Sequence, residues 1–171
     1  MYRRFNEFLR DRRQGIFSDY THYAHADIRG DSAHISLHGD VDFYSWRNGV
    51  IVVAELWGLP YMTDECAPNI LAMHLHTNGD CTGTREEPFS GAGGHYNPTG
   101  CPHPAHAGDM PPLFVNRGYA WLSFYTERLK LNEVVGRSVI IHDGRDDFTS
   151  QPAGNAGGRI ACGVVYAINE A

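Results

Sequence analysis

Residues 33–59, AHISLHGDVDFYSWRNGVIVVAELWGL, carry the pattern that sets the fold class. From Ala33 to Trp46 apolar and polar residues alternate, a period of two that sends every second side chain to one face of an extended chain. Arg47-Asn48-Gly49 then supplies turn chemistry, so Val50–Leu59 reads as the strand returning alongside. Residues 69–77, GYAWLSFYTERLKL (118–131), VVGRSVIIHD (134–143) and RIACGVVYAI (159–168) read as further strands. Gly, Asn and Pro punctuate them, and no long stretch repeats at the helical period. The expectation is an all-β sandwich or barrel.

A chain of 171 residues suits one domain and buries about two-thirds of its unfolded surface. No repeat and no linker divides it. The net charge of −6, with Lys130 as the only lysine, argues against nucleic acid as a partner. No segment offers the ~18 apolar residues of a membrane span. The opening MYRRFNEFLRDRR sets Phe5, Phe8 and Leu9 at helical spacing among five arginines. Residues 1–21 are therefore expected to be a tail, a short solvated helix or disordered, with the domain occupying 22–171. The start of the chain also lacks the apolar core of a signal peptide, so a cytoplasmic location is the expectation.

Two long stretches have no regular pattern. About 35 residues after the strand at 69–77 are rich in Gly, Pro, Asn and His, and DDFTSQPAGNAGG (146–158) separates the last two strands. Loops this long in a compact domain are functional or held by something other than a core. The ten histidines divide accordingly. His22, His25, His34 and His38 are scattered along presumed strands and read as exposed or hydrogen-bonded residues. His74, His76, His95, His103, His106 and His142 lie at strand ends or in the first loop, with Asp109 among them. His74 and His76 stand one residue apart in an extended run, so both rings point to one face. Neutral imidazoles with one carboxylate suit copper and zinc better than calcium or magnesium. Seven donors exceed one tetrahedral site. Either some are idle, or two metals share one histidine as a bridging imidazolate. Four cysteines fit either disulfides or metal ligation.

HLH (74–76), GGHYNP (93–98), HAGDMP (106–111), GRSVIIHDGRDD (136–147) and GNAGGRIACGV (154–164), in that order, resemble the copper,zinc superoxide dismutases, over roughly residues 24–168. The resemblance implies a Greek-key β-sandwich, or flattened barrel, of about eight antiparallel strands with two long functional loops. It makes His74, His76, His95 and His142 copper ligands, and His95, His103, His106 and Asp109 zinc ligands, with His95 bridging. Asp146 becomes the carboxylate joining a copper-side to a zinc-side histidine, so that Asn or Gly there weakens zinc first. Cys81 and Cys162 match the family's intrasubunit disulfide. Arg159 matches the arginine beside copper that attracts superoxide, and with His95 is the implied catalytic pair. The implied reaction has two half-steps: superoxide leaves as oxygen in the first and as hydrogen peroxide in the second, with His95 releasing one metal to carry a proton.

The pattern departs from the family in three places. Only Pro104 and Ala105 separate His103 from His106, a shortened zinc subloop within a bacterial-type sequence. The second loop has no lysine or glutamate, which leaves anion steering to Arg159 and Arg145. Cys66 and Cys101 are additional, and a second disulfide between them is the preferred expectation. A copper carrier or structural module of the same fold is the alternative function, but all seven ligands and the arginine are present. A hydrolytic zinc site would need a vacant position, which four protein donors do not leave. Family dimers use different faces, so a homodimer is compatible with the sequence without being specified by it.

Overall fold

The computed structural model describes residues 22–169. Ten strands run through them: β1 (His22–Gly30), β2 (His38–Trp46), β3 (Gly49–Trp57), β4 (Ile70–Leu71), β5 (Met73–His76), β6 (Leu113–Phe114), β7 (Tyr119–Thr126), β8 (Ser138–His142), β9 (Arg159–Val164) and β10 (Tyr166–Asn169). The expected tail at 1–21 lies outside the described residues.

The β2–β3 hairpin forms where the alternation places it, with Trp46 opposite Gly49 across Arg47 and Asn48. The positive φ of the turn (49°) falls on Arg47 rather than on the glycine. Gly49 is needed for space, because a Cβ there would meet the carbonyl oxygen of Thr126 on the neighbouring β7. Val41 and Phe43 of β2 and Val50, Val52, Ala54 and Leu56 of β3 point inward, as the period of two requires. The alternation misleads only at its start. Residues 33–37 are turn, because the Asp31 carboxylate accepts from the backbone N–H groups of Ala33 and His34 (both 2.9 Å), and Ile35 is left in solvent.

One curled antiparallel sheet runs β5-β8-β9-β1-β2-β3-β7, with β10 also on β1 and the short β4–β6 pair apart. The chain crosses from one end of this sheet toward the other after β3, after β5 and after β7, which makes the Greek-key sandwich expected from the resemblance. Met73, Leu75, Val139 and Ile141 from one end pack in the same core as Ile28, Phe43, Val52 and Leu56 from the other. The predicted strands after the hairpin are all shorter than read. Residues 69–77 break at Ala72, whose N–H and carbonyl turn to Gly144 (2.8 Å) and His142 (2.9 Å). Residues 159–168 break at Val165, which pairs with Arg137 and Gly136 instead. Between β7 and β8 a helical turn, Leu131–Val134, forms where Glu133 accepts from the Lys130 N–H (3.1 Å) and Leu129 and Val134 are buried.

Candidate metal centre

β5 is an edge strand with its core face filled by Met73 and Leu75, so His74 and His76 project from the opposite face. They are buried nonetheless, at 0% and 1% exposure, because the first long loop closes over them. The loop docks on the open backbone of β5: Tyr96 N donates to Leu75 O (2.8 Å), Leu75 N to Gly108 O (2.9 Å) and Thr77 N to Gly94 O (2.9 Å). This pairing satisfies an edge that would otherwise be free, and it sets His95 across from His76 and Asp109 across from His74. Arg137 secures the same segment, donating to Thr77 O (2.8 Å) while its guanidinium lies 3.5 Å from the Tyr96 ring centre. His142 follows Ile141 at the end of β8 and so falls on the face shared with His74 and His76.

The donor atoms of His74, His76, His95 and His142 lie within 4.8 Å of one another, and so do those of His95, His103, His106 and Asp109. His95 belongs to both groups. Its Nδ1 lies 2.7 Å from Asp109 Oδ1, which leaves Nε2 facing the first group. The buried side-chain polar atoms that lack a hydrogen-bond partner, among the described residues, are His74 Nδ1, His76 Nε2, His95 Nε2, His103 Nδ1, His106 Nδ1 and His142 Nε2. A buried, unpaired nitrogen costs about 1–3 kcal/mol; His103 Nδ1 and His106 Nδ1 lie 3.1 and 3.3 Å from Asp109 oxygens, the other four have no such neighbour, and the set fits two donor groups built for cations.

The other ring nitrogens are held from behind. His74 Nε2 and His103 Nε2 meet the two oxygens of Asp146 at 2.8 and 2.9 Å, His76 Nδ1 donates to Gly93 O (2.9 Å) and His142 Nδ1 to Gly157 O (3.4 Å). Such partners fix the tautomer and aim the free nitrogen at a metal. Gly154 closes over this contact with a φ of 67°, and a Cβ there would strike Asp146 Oδ1 and His103 Nε2. Arg159, at the start of β9 and paired in register with His142, donates to Phe89 O and Gly93 O, both at 2.6 Å. Gly93 O therefore anchors both His76 and Arg159. Cys81 and Cys162 form a disulfide that packs with Phe89, Ala92 and Ile140 beneath the same turn.

The sequence model of one family, copper/zinc superoxide dismutase (SODC), matches residues 37–165. The chain is 35% identical over 158 residues to superoxide dismutase [Cu-Zn] 2 of Aquifex aeolicus, covering 83% of this chain and 85% of that protein. It belongs to the copper/zinc superoxide dismutase family. Superoxide dismutase [Cu-Zn] 1 of Salmonella typhimurium is 41% identical over 142 residues, covering 74% of this chain and 76% of its own. The solved Cu/Zn superoxide dismutase of Brucella abortus superposes with a TM-score of 0.69 at 26% identity, covering 83% of this chain and 98% of that one.

For a copper/zinc superoxide dismutase the donor set fits both metals: imidazole nitrogens alone in one group, three imidazoles and a carboxylate in the other. All seven residues singled out in the sequence converge. Asp146 and Arg159 join them, while Arg145 is exposed on the second loop. The four N-terminal histidines stay outside. His25 pairs with Asp42 and His34 with Asp31 (both 2.8 Å), His38 stacks on Trp57, and His22 lies on β1. The expected Cys66–Cys101 disulfide is absent, and both are free thiols. Cys66 is exposed in a turn capped by Asp64 (2.8 Å), and Cys101 is fixed in its own turn by the Asn97 amide, its sulfur accepting from Thr99 Oγ1 at 3.2 Å. Two contributors escaped sequence reading: the Gly93 carbonyl, because a backbone acceptor leaves no mark on residue type, and Gln151, whose side chain grips His103 from 48 residues away.

Burial, followed by the neighbouring imidazoles, pushes His74 down to about 2; burial also dominates at His76, about 2, and at His142, about 4. At Asp109 burial opposes ionisation, but the hydrogen bond with His95 and the neighbouring His103 outweigh it and hold the carboxyl at about 2. His74, His76 and His142 are thus neutral donors and Asp109 a carboxylate at neutral pH. Unfolded, these three histidines titrate near 6.5 and bind more protons than they do in the folded chain below that pH. Their contribution to the stability of the metal-free protein is therefore fully present above about 6.5 and is lost as pH falls, His142 taking its proton in the folded state first; it outweighs the opposite contribution of His25, which its hydrogen bond to Asp42 raises. Urea midpoints of metal-free protein at pH 7.5 and 5 check this, and an equal or higher midpoint at pH 5 would contradict it.

Proposed function

We infer that the chain dismutates superoxide to oxygen and hydrogen peroxide at the paired histidine groups. His74, His76, His95 and His142 would hold copper, and His95, His103, His106 and Asp109 would hold zinc. The observation carrying this reading is His95, a single buried imidazole with Nδ1 in one donor group and Nε2 in the other. When bound, copper supplies a one-electron redox couple, while zinc, with a filled d shell, supplies fixed charge and no redox chemistry.

The chain's own residues supply the rest. Burial pulls the Arg159 guanidinium below the ordinary arginine value against the opposite pull of Glu87, yet arginine does not lose its proton in proteins. It thus keeps a positive charge beside His142. Its bonds to Phe89 O and Gly93 O use two of five N–H donors, leaving others for an incoming anion. His95 would carry a proton on Nε2 while Nδ1 stays engaged with the second group, which would put a donor on the side of the first group. Over one cycle two superoxide anions and two protons give one oxygen and one hydrogen peroxide.

The test is metal analysis joined to a superoxide-consumption assay. One copper and one zinc per chain with fast turnover is expected, and zinc uptake with no activity after copper loading would overturn the reading. Arg159→Ala is expected to lower kcat/KM about tenfold and to flatten its dependence on ionic strength, since steering of an anion contributes ~10–10³-fold. Rates over a salt series for both proteins check this. Equal slopes would remove Arg159 from steering.

A further inference from the structure

We propose that Gln151 is a positioning residue for His103, clamping the peptide of that histidine so that its ring meets His95, His106 and Asp109. The proposal rests on the reading of this group as the zinc-holding one. The Gln151 amide makes two bonds to one residue: Nε2 donates to His103 O (2.6 Å) and Oε1 accepts from His103 N (3.0 Å). A side-chain amide paired with a peptide in this way fixes both translation and tilt, as a bidentate contact does.

His103 has unusual need of such a clamp. His95 is carried by a loop segment bonded to β5 at Tyr96 and Gly94, and His106 donates its backbone N–H to Asp109 Oδ2 (2.9 Å) within its own loop. The ring of His103 is held at Nε2 by Asp146 (2.9 Å) and its backbone by Gln151, so the second loop supplies both supports. The segment is braced only around this histidine, through Ala105 N to Pro102 O (2.8 Å) and Arg128 to Pro104 O (3.0 Å), which leaves the N–H and carbonyl of His103 itself to Gln151. The platform for Gln151 is firm. Asp147 accepts from the N–H groups of Thr149 and Ser150 (both 2.8 Å), and Gly154 closes the turn onto Ser150 O (2.7 Å). Gln151 is thus the device by which a loop lacking lysine and glutamate serves the metal centre: it holds a ligand instead of steering an anion.

Gln151 is exposed, so Gln151→Ala is expected to fold with the thermal midpoint of the metal-free wild type. Zinc affinity, measured in copper-loaded protein by competition with a chromophoric chelator, is expected to fall about tenfold, as loss of a group supporting a metal ligand costs ~10–100-fold. Cobalt(II) placed in the zinc group should show shifted visible bands, reporting a displaced ligand. In a His103→Ala background, Gln151→Ala should change nothing further, because its effect passes through His103. Unchanged zinc affinity in Gln151→Ala would overturn the proposal. So would the same loss in the His103→Ala background, which would mean general loosening of the loops. A wild type that takes no zinc at all would instead overturn the underlying reading of the group, a result distinguishable because it needs no variant.

Discussion

Asp146→Ala is expected to lower metal affinity by about 10–100-fold at both groups, and Asp146→Asn to spare one of them. The difference follows from proton placement. An ionised carboxylate only accepts, so His74 and His103 must both present Nε2–H to Asp146, which leaves each Nδ1 bare and aimed inward. Asp146 Oδ1 accepts from two donors, His103 Nε2 and the Phe148 N–H at 2.7 Å, while Oδ2 serves His74 alone. An asparagine will therefore turn its oxygen to the Oδ1 place and its NH2 to His74. A donor then faces a donor, and His74 must move away or shift its proton to Nδ1, the nitrogen that would hold copper. Copper is the metal expected to weaken first in the asparagine variant, the reverse of the order the sequence alone suggested. Chelator competition run separately for copper and zinc decides between them. Wild-type affinity for both metals in Asp146→Ala would refute the role given to this carboxylate.

Loss of the Cys81–Cys162 disulfide is expected to cost about 2–4 kcal/mol of stability and to lower activity before the protein unfolds. The bond closes a sequence separation of 81 residues, for which chain entropy alone sets an upper figure near 4.5 kcal/mol. Its local effect matters as much. The disulfide packs with Phe89 and Ala92, in the turn whose flanking carbonyls, Phe89 O and Gly93 O, hold Arg159 and His76. Released from β9, that turn no longer fixes the Arg159 guanidinium beside His142. Urea unfolding of Cys81→Ser with Cys162→Ser, with kcat/KM at a temperature where it is folded, checks both parts. Stability within 0.5 kcal/mol of wild type, about the scatter of ordinary surface substitutions, would contradict the first. Thiol counting should find two free groups in the native protein, Cys66 and Cys101, and four after reduction.

The hairpin at 38–57 and the common face of His74 and His76 were legible because both are consequences of a two-residue period, a property of adjacent residues alone. That these seven side chains gather was legible through the order of their motifs, and the absence of repeating structure at 78–112 marked the loop that carries four of them. What periodicity could not tell was where an alternating run stops, since a capping carboxylate at Asp31 outbids it over 33–37. Nor could it tell that Cys66 and Cys101 would each settle into a separate turn.

Residue type and local spacing thus determined the strands, the loops and the chemistry on offer. Tertiary structure decided which nitrogens are free. That choice depends on an aspartate reaching histidines 72 and 43 residues away, on a glycine carbonyl shared by His76 and Arg159, and on Gln151 gripping His103 across two loops. Hydrogen bonds of this kind exist only once the chain has folded, because their strength depends on distance and angle in space and on the exclusion of water. A linear pattern can name the donors, but only the packed loops can fix their protons.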